Sequence, residues 1–351
     1  MPVTVVVGGQ YGSEGKGKVA HFLAREMNAV VAIRCGGPNS GHTVIDPKGK
    51  PIIFRQLPTA SILPDVVCVL CTGSYIDPDI LLSEIKIAGI DRDRLYIDPN
   101  AVIITPDMRE REASGGLMNS IGSTGSGTGE AVMRRIKRRP GLLFTKDVPD
   151  LSHFICETKT FLRDQLSNNE RVIIEGTKGF GLSLLHSEHY PYITSRDTTA
   201  AGFVSEAGLS PLDVDDVVLT IRAFPIRVAG NSGPLVPEID WETVTAEGKH
   251  HQLIQERTSV TKRVRRVSRF SPEVVRKAIE ANKPTRIVLN HLDYIYSSSL
   301  RNHEKAIRIF VSKVEMSIKA SIGYLGFGPD VINENQDNLI PIQFANGQQR
   351  D

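Results

Sequence analysis

The chain opens with an apolar strand that runs through a glycine-rich loop into a helix, and this feature constrains the fold most. Residues 5–23 read VVVGGQYGSEGKGKVAHFL. Glycines let backbone N–H groups approach phosphate oxygens, and a helix N-terminus attracts anions. The alternative is a glycine-rich turn without a ligand. The preceding strand and the two lysines, Lys16 and Lys18, favour a phosphate-binding loop over that alternative.

This loop departs from the usual phosphate-loop motif at its end. The motif normally finishes with Lys followed by Ser or Thr, whose hydroxyl binds magnesium. Here Val19 follows Lys18. Valine has no oxygen to offer, so any magnesium ion must be held by other residues.

Apolar, β-branched runs alternate with helical periodicity along the chain. Strands are predicted within residues 3–9, 28–37, 65–73, 171–179, 216–228 and 285–295, and helices near 16–27, 78–89, 151–167, 271–282 and 302–323. Several strands end in glycine, as expected where strands lead into functional loops at the carboxyl edge of a parallel sheet. The alternation predicts an α/β fold with a mainly parallel central sheet and helices on both faces. Without a repeat or a change of composition, residues 1–351 are predicted to form a single large domain.

Composition limits the possible partners and the compartment. The formal net charge is +2, from 42 basic and 40 acidic residues, which argues against a nucleic-acid or membrane-surface protein. No targeting segment or membrane-spanning run is visible, so we expect a cytoplasmic protein. The four cysteines suit a reducing compartment. Cys68 and Cys71 form a CxxC that fits either a metal site or, as we favour, a buried strand.

A second loop carries a candidate catalytic histidine. Residues 34–44, RCGGPNSGHTV, follow the next predicted strand and place His42 beside Gly41. Parallel strands end at the same sheet edge, so this loop should lie near the phosphate loop. A histidine there can act as a general acid near neutral pH, whereas a lone loop histidine is more often solvated or capping.

Taken together, the motifs resemble those of adenylosuccinate synthetases. The matching blocks, in the family's order, are GGQYGSEGKGK, GGPNSGHT, STGSGTG, EGTKG, YPYITSRDTTAAG, GNSGPLVPEI, TSVTKRVRRV and LNHLDY. They extend from residue 5 to about residue 296. The resemblance implies one large α/β domain, a phosphate-loop-like nucleotide site and a homodimer.

The resemblance also implies a ligase that forms a C–N bond in two steps. The γ-phosphoryl group of a nucleoside triphosphate moves to the 6-oxygen of a purine monophosphate, and the amine of L-aspartate then displaces the phosphate at C6. The 6-oxo group is a poor leaving group until it is phosphorylated. Mg²⁺ and positive groups would stabilise the charge on the transferring phosphoryl.

On the triphosphate side, Lys16 matches the lysine that stabilises the transferring phosphate, and His42 matches the acid at the 6-oxygen. The carbonyl of Gly41 matches a magnesium ligand, with Ser13 as a weaker second one. Asp293 matches the residue that reads the triphosphate's base. The resemblance implies this nucleotide-binding set: Gly12, Glu14, Gly15, Gly17, Lys18, Gly41, His42, Thr43, Arg265, Asn290 and Asp293.

On the monophosphate side, the resemblance implies Ser13, Asn39, Ser123, Thr124, Lys178 and Thr194, with Arg138 reaching in from the other subunit. Arg138 lies in the basic run RRIKRR, so a solvated helix face is an equal alternative. Val260, Thr261 and Arg263 match the loop that closes on L-aspartate. A nucleic-acid patch is the alternative for TKRVRR, but no aromatic residues accompany that run.

Two departures from the family bear on the substrate. Ser13 stands where ordinary members have an aspartate that takes the N1 proton of inosine monophosphate (IMP). Lys178 stands where they usually have glutamine, and its cation could stabilise charge on the 6-oxygen. Serine at this position resembles the viral branch, the N6-succino-2-aminodeoxyadenylate synthases, which act on deoxyguanosine monophosphate (dGMP). The smaller serine leaves room for the 2-amino group of guanine and can accept its hydrogen bond.

Three hypotheses follow. The first is a ligase that joins dGMP to L-aspartate for 2-aminoadenine DNA, using ATP or dATP. The second is an ordinary GTP-dependent enzyme acting on IMP. The third is a nucleotide-binding protein without catalysis, which the retention of Lys16, His42 and Arg263 argues against. His291 replaces the lysine that the family has beside its base-reading acid, and the viral resemblance favours an adenine donor over GTP.

Overall fold

The computed structural model describes residues 2–138, 140–258 and 262–335, except for the side chain of residue 119. The strands are β1 (Val3–Gly8), β2 (Val31–Arg34), β3 (His42–Ile45), β4 (Pro51–Phe54), β5 (Val67–Leu70), β6 (Tyr75–Ile76), β7 (Leu95–Ile97), β8 (Val102–Ile103), β9 (Val172–Glu175), β10 (Val214–Arg222), β11 (Ile226–Arg227), β12 (Glu238–Ile239), β13 (Arg266–Ser268), β14 (Arg286–Asn290), β15 (Tyr324–Phe327) and β16 (Val331–Glu334). The α-helices are α1 (Lys16–Glu26), α2 (Pro78–Ala88), α3 (Pro106–Ser114), α4 (Leu117–Ser120), α5 (Thr128–Lys137), α6 (Thr158–Ser167), α7 (Ala200–Ala207), α8 (Trp241–Glu247), α9 (Pro272–Asn282) and α10 (His303–Ile318).

Within these described ranges, a nine-stranded sheet forms the centre of the molecule. Its strand order is β16-β15-β14-β10-β1-β9-β2-β5-β7. Neighbouring strands run parallel, except that β15 and β16 are antiparallel. The predicted α/β fold with a mainly parallel sheet is therefore confirmed. The boundary of the single domain at residue 351 stays a prediction, because residues 336–351 lie outside the described part.

Strand β1 shows why the sheet is covered on both faces. All six of its residues are buried, as expected for a central parallel strand. Val3, Val5 and Val7 belong to the apolar cluster that contains Phe203 of α7 and residues of α6, α9 and α10. The alternate residue Val6 belongs to the cluster formed with α1. Successive side chains point to opposite faces, so the strand joins both layers of helices.

The long strand predicted over residues 216–228 is wrong in its second half. Strand β10 ends at Arg222, and β11 belongs instead to a separate three-stranded sheet with β12 and β13. Pro225 lies between them, and proline cannot donate a ladder hydrogen bond. The chain therefore leaves the central sheet at the end of β10, where candidate site residues gather.

Two predicted helices are shorter than expected. In the segment predicted over 151–167, a 3-10 helix at Pro149–Phe154 precedes α6, and Ile155 between them pairs with Ile97 of the edge strand β7. Helix α10 ends at Ile318 instead of continuing to residue 323. Its cap, Lys319, has a left-handed φ of 56°, which stops the helical hydrogen-bond pattern.

The cysteine pair is buried, as expected for small apolar side chains in a strand. Cys68 lies in β5 and Cys71 directly after it, and both thiols are free. Burial raises the pKa of Cys68 to about 12, so the thiol stays protonated at neutral pH. Of the helices in the described part of the chain, none combines the length and apolar character needed to cross a membrane.

We expect Gly176→Ala to destabilise the fold. A Cβ at this position would clash with Cε2 of Phe203 and would lie 2.7 Å from the carbonyl oxygen of Val6, and both residues are fully buried. Overpacking of this kind lowers the free energy of unfolding by about 1–3 kcal/mol. Urea denaturation measures the loss. Gly323→Ala is the control, because its Cβ would meet only the oxygen of Ile287, at 3.8 Å. Equal stability of the two variants would contradict this account.

Candidate active site

Many of the predicted site residues lie at the carboxyl edge of a block of five neighbouring strands, whereas Ser123 and Thr124 lie between α4 and α5. These strands, β14, β10, β1, β9 and β2, are consecutive in the central sheet. Ligands of open α/β sheets bind at this edge, because loops there diverge and leave a crevice. Two of the cavities formed by the described residues at this edge contain predicted site residues.

We call the first cavity the donor cleft, after the role predicted for its residues. Ten predicted site residues line it: Ser13, Gly15, Lys16, Gly17, Lys18, Gly41, His42, Thr43, Arg265 and Asp293. His291, Glu256 and Tyr294 complete much of the wall. The cleft brings together residues separated by up to 280 positions in sequence.

We call the second cavity the acceptor pocket. Five predicted residues line it: Asn39, Ser123, Thr124, Lys178 and Thr194. Tyr11, Glu112 and Arg227 also line it, and none of these three was predicted. The guanidinium of Arg227 lies over the ring of Tyr11, 4.1 Å from its centroid. This cation–π pair gives the pocket a rigid, positively charged wall.

Two loops form a common wall between the cavities. Tyr11 lines the acceptor pocket and Ser13 the donor cleft, two residues further along the phosphate loop. In the second loop, Asn39 faces the acceptor pocket and Gly41 the donor cleft. The two cavities are therefore adjacent along both loops.

A buried carboxylate shapes the phosphate loop. Oε1 of Glu14 accepts hydrogen bonds from the backbone N–H groups of Gln10 (3.1 Å) and Gly12 (2.8 Å). Its Oε2 pairs with Nζ of Lys16 at 2.6 Å, and both side chains are buried. Glu14 and Gly12 therefore support the loop without lining either cavity. The pair with Glu14 also holds the Lys16 ammonium at the wall of the donor cleft.

The start of α1 requires glycine for conformational reasons. Gly15 caps the helix with a left-handed φ of 91°, and a Cβ there would lie 2.8 Å from Nδ2 of Asn290. That Nδ2 donates to the carbonyl of Glu14 at 2.7 Å. Asn290 is fully buried and does not line the donor cleft. Its role in the structure is to hold the phosphate loop in place through this hydrogen bond.

Lys18 faces the turn between β15 and β16. Its Nζ donates to the carbonyl oxygens of Phe327 (3.4 Å), Gly328 (3.1 Å) and Val331 (3.4 Å). Burial lowers the pKa of Lys18 to about 8, while the charge of Asp293 opposes the shift. Lys18 thus connects the helix that follows the phosphate loop to the turn beside Asp293.

His42 is held by a buried carboxylate at the end of β9. Its Nδ1 lies 2.5 Å from Oε1 of Glu175, which also accepts a hydrogen bond from Nη1 of Arg34 at 2.7 Å. Oε2 of Glu175 accepts from the backbone N–H (2.8 Å) and the hydroxyl (2.6 Å) of Thr59. Despite burial, which opposes ionisation, these donors lower the pKa of Glu175 to about 2.

Burial and then the charge of Arg34 lower the pKa of His42 to about 4, and the hydrogen bond to Glu175 only partly opposes this. The imidazole is therefore neutral at pH 7. Donation of its Nδ1–H to the carboxylate leaves Nε2 without a proton. The free site thus holds His42 as a proton acceptor, and it becomes an acid only after it takes up a proton.

Lys178 reaches into the acceptor pocket from the loop after β9. It has a left-handed φ of 64°, and its Nζ donates to the carbonyl of Asn39 at 2.8 Å. Burial and then the charge of Arg196 lower the pKa of Lys178 to about 8. Most of the population is still cationic at pH 7, so the pocket contains a positive charge fixed beside the two shared loops.

Glu112 of α3 anchors both the loop that precedes α5 and the first turn of that helix. Oε1 of Glu112 accepts from the hydroxyl of Ser123 at 2.7 Å, and Oε2 accepts from the N–H of Gly129 at 3.1 Å. On the opposite wall, the N–H of Thr194 donates to the carbonyl of Leu182 at 2.8 Å. These bonds order the hydroxyl-bearing residues predicted to hold a 5′-phosphate.

Several predicted residues are not brought to either cavity. Arg138 caps α5 with a left-handed φ of 50° and is exposed, and Arg263 is exposed beside Thr258. Neither residue lines the two cavities of its own chain. Val260 and Thr261 lie outside the described residues. Ser13 lines the donor cleft with an exposed side chain, although a place in the acceptor pocket was also predicted.

The far end of the donor cleft contains Asp293 and His291. Oδ1 of Asp293 accepts from the N–H of Gly328 at 2.9 Å, and burial raises the pKa of this carboxyl. Burial and the charge of Arg222 lower the pKa of His291 well below its usual value. The imidazole of His291 is therefore neutral, whereas the lysine that the resemblance implies at this position would be positively charged.

Sequence reasoning missed the residues that hold others in place. Glu175 and Arg34 begin the stretches EGTKG and RCGGPNSGHTV, but neither was assigned a role, and Glu112 lies outside the quoted blocks. A signal was nevertheless present, because Glu175 and Arg34 are charged residues at the last position of apolar strands, VIIE and VAIR. A charge at that position faces the functional edge of a parallel sheet.

A sequence profile of the adenylosuccinate synthetase family matches residues 5–148 and 142–300. The chain belongs to this family. Adenylosuccinate synthetases of Archaeoglobus fulgidus and Methanocaldococcus jannaschii are similar to it, with 32% identity over 339 residues and 34% over 338. The alignments cover 94% and 93% of this chain and 97% and 94% of theirs. Family members are C–N ligases that use aspartate, and this chain is such an enzyme.

Two solved structures are similar over nearly the whole chain. One is succinoaminodeoxyadenylate synthetase (PurZ) of cyanophage S-2L, bound to dGMP and to dATP as an energy donor. It has a TM-score of 0.81 and 33% identity, with 95% of each chain covered. The other is the fully ligated adenylosuccinate synthetase of Plasmodium falciparum, with a TM-score of 0.83, 20% identity, and 96% of this chain and 100% of that chain covered. The second shows that the fold is shared.

We predict that His42 makes stability depend on pH in the acid range. Its pKa is about 4 in the folded chain and about 6.5 in the unfolded chain, so the unfolded state binds the proton first as pH falls. The free energy of unfolding should therefore decrease by about 3 kcal/mol between pH 6.5 and pH 4 on account of this group. His42→Asn keeps a hydrogen-bond donor for Glu175 but does not titrate, and it should lack this part of the slope. Denaturant unfolding at several pH values provides the comparison, and parallel curves for the two proteins would refute the assignment.

Proposed function

We propose that this enzyme joins L-aspartate to C6 of dGMP at the expense of ATP or dATP, giving N6-succino-2-amino-2′-deoxyadenylate for 2-aminoadenine DNA. One observation carries the proposal. Ser13 lines the donor cleft, two residues along the phosphate loop from Tyr11 of the acceptor pocket, at the position that the resemblance assigns to a catalytic aspartate in ordinary members of the family. The similarity to a cyanophage enzyme bound to dGMP and dATP supports it.

Two displacements make up the reaction. In the first, the 6-oxygen of guanine forms a bond to the γ-phosphorus, the bond from that phosphorus to the β-phosphate oxygen breaks, and the N1 proton is lost. In the second, the aspartate amine forms a bond to C6, inorganic phosphate leaves with the 6-oxygen, and the amine loses a proton. Lys16 at the donor cleft and Lys178 in the acceptor pocket supply positive charge to the phosphoryl group and the 6-oxygen.

His42 is our candidate for the missing base. It is neutral in the free site, with Nδ1 bound to Glu175 and Nε2 able to accept a proton. It can therefore receive the proton released from guanine in the first step. The resulting imidazolium is stabilised by Glu175 and can return the proton to the leaving phosphate in the second step. Ser13 then needs only to bind the base and not to ionise.

The donor cleft suits a magnesium ion that enters with the nucleotide. Ser13 and Gly41 line it beside Lys16 and offer a hydroxyl and a carbonyl, and Mg²⁺ prefers such oxygen ligands. The described residues contain no cluster of three or more metal-binding side chains. Phosphate oxygens and waters would supply the other ligands, which is common for this ion. When bound, Mg²⁺ neutralises charge on the transferring phosphoryl.

The donor base would lie beside Asp293 and His291. A carboxylate accepts hydrogen bonds from the 6-amino group of adenine as well as from N1–H and the 2-amino group of guanine. His291 is neutral and removes the positive charge that a lysine would place there. This difference favours ATP or dATP over GTP.

We further propose a homodimer in which Arg138 completes the acceptor pocket of the partner subunit. Arg138 is exposed at the end of α5 and lines neither cavity of its own chain. Four large apolar side chains are more than two-fifths exposed on the neighbouring helices α4 and α5: Leu117, Met118, Met133 and Ile136. An apolar face of this kind is typical of an interface.

The second candidate is an ordinary adenylosuccinate synthetase acting on IMP with GTP, since the archaeal relatives carry that name. A binding protein without catalysis is disfavoured, because the buried pairs that hold Lys16 and His42 are intact.

We expect turnover with dGMP, L-aspartate and ATP or dATP, measured as phosphate release, and little with IMP. Turnover with IMP alone would assign the enzyme to the second candidate.

Exchange of Ser13 tests its role directly. We expect Ser13→Asp to fold normally, because Asp tolerates the left-handed φ of 58°. It should lose dGMP turnover by about tenfold or more, since a carboxylate crowds the 2-amino group, and gain turnover with IMP. Ser13→Asn, of equal size but without charge, is the control and should not gain IMP turnover. A rise in dGMP turnover in Ser13→Asp would contradict the proposal.

Mixing two inactive variants tests the dimer. Lys16→Met removes the cation from its own donor cleft, and Arg138→Ala removes the residue offered to the partner. After equal mixing and subunit exchange, half of the dimers carry one intact site. Activity should recover to about a quarter of the wild-type value, from almost none in either variant alone. If the mixture stays inactive while exchange is verified by mass, Arg138 does not act across the interface.

A further inference from the structure

A fully buried arginine stands at the junction of the donor cleft and the loop predicted to bind aspartate. Arg222 is the last residue of β10, and its side chain has no exposed surface. Its guanidinium forms an ion pair with Glu256, through Nη2 to Oε1 and through Nη1 to Oε2 at 3.4 Å. A buried charge of this kind is costly to retain unless it is well paired.

Arg222 also holds the phosphate loop by three further hydrogen bonds. Its Nη1 donates to the carbonyl of Ser13 at 2.9 Å. Its backbone N–H donates to Oε1 of Gln10 at 2.9 Å, and its carbonyl accepts from Nε2 of Gln10 at 3.1 Å. Both ends of the loop segment from Gln10 to Ser13 are therefore fixed to one residue of β10.

Glu256 belongs to a hairpin that carries two predicted binding residues. The N–H of Arg265 donates to the carbonyl of Glu256 at 2.9 Å, and the N–H of Thr258 donates to the carbonyl of Arg263 at 2.9 Å. Arg257 and Val264 form an antiparallel bridge between these two bonds. Arg265 lines the donor cleft, and Arg263 is our candidate for the carboxylate of L-aspartate.

We propose that Arg222 is a positioning residue that couples the phosphate loop to this hairpin, so that donor binding sets the hairpin for L-aspartate. This inference rests on the proposed function only in naming L-aspartate as the hairpin's ligand. A planar guanidinium can donate to Ser13 and Glu256 at once from fixed directions. A nucleotide that moves Ser13 therefore moves the partner of Glu256 as well.

The test is Arg222→Lys. Lysine keeps the positive charge but lacks the planar guanidinium, which donates hydrogen bonds in several fixed directions. We expect the KM for L-aspartate to rise by about tenfold, within the range of ordinary coupling between sites, while the KM for the purine monophosphate changes less than twofold. Arg286→Lys is the matched control. Arg286 pairs with Asp216 at the opposite end of the same β10 strand, so its change should lower the melting temperature without altering either KM.

A second readout does not require turnover. In the wild type, ATP should slow amide hydrogen exchange in residues 256–258 and 262–265, and in Arg222→Lys this protection should be lost. Glu256→Gln, which keeps the shape of the carboxylate without its charge, should reproduce both effects if Arg222→Lys fails to fold. The double variant should be no worse than the more affected single variant, because the two residues act through one contact.

The kinetic comparison uses whichever of dGMP and IMP the wild type converts, so failure of the substrate proposal does not affect it. The inference is overturned if Arg222→Lys leaves the aspartate KM unchanged, if it raises every KM equally, or if ATP protects the hairpin equally in the wild type and the variant. An increase in the aspartate KM in Arg286→Lys would likewise show that general loosening of β10, and not the contact with Glu256, is responsible.

Discussion

The buried carboxylate of Glu175 is the interaction on which the rest of the site depends. Removing a carboxylate from water costs several kcal/mol unless hydrogen bonds replace the lost hydration. Here Arg34, His42 and Thr59 replace it, from three different segments of the chain. The same bonds that satisfy the carboxylate fix the loops after β2 and β9 relative to each other. Because these two loops between them border both cavities, the relative placement of the cavity walls depends on one well-satisfied buried charge.

The parts of the fold that could be predicted are those with a local signal. Strand β1 is a continuous run of mainly β-branched residues, helices α1 and α9 show helical periodicity, and the glycines between β1 and α1 indicate a tight turn. Helices α5 and α7 were missed, because each follows a glycine- or threonine-rich segment that suggests a loop. In the site, Lys16 and His42 lie in recognisable motifs. Glu175 begins the block EGTKG, but its role was missed, because its partner His42 is 133 residues away and only the folded sheet brings them together. Arg222 and Glu256, 34 residues apart, were missed for the same reason.

The comparison with known proteins separates what the fold determines from what individual residues determine. The Plasmodium enzyme retains the architecture at 20% identity, so the fold tolerates extensive change in sequence. The substrate distinction that we propose rests instead on a few positions in the loops, above all Ser13 and Lys178. Such a division is expected where a rigid scaffold carries variable loops, since binding depends on groups at the loop tips and stability depends on the buried layers.

Because the phosphate loop borders both cavities, a single substitution in it can affect both. Ser13 and Tyr11 face different cavities but lie two residues apart on one loop. A mutation that reshapes this loop on one side also displaces backbone that lines the cavity on the other. A change of preference in one cavity is therefore expected to alter the other unless further substitutions restore it. We expect the histories of the two cavities to be linked, with changes in this loop accompanied by changes elsewhere in both linings.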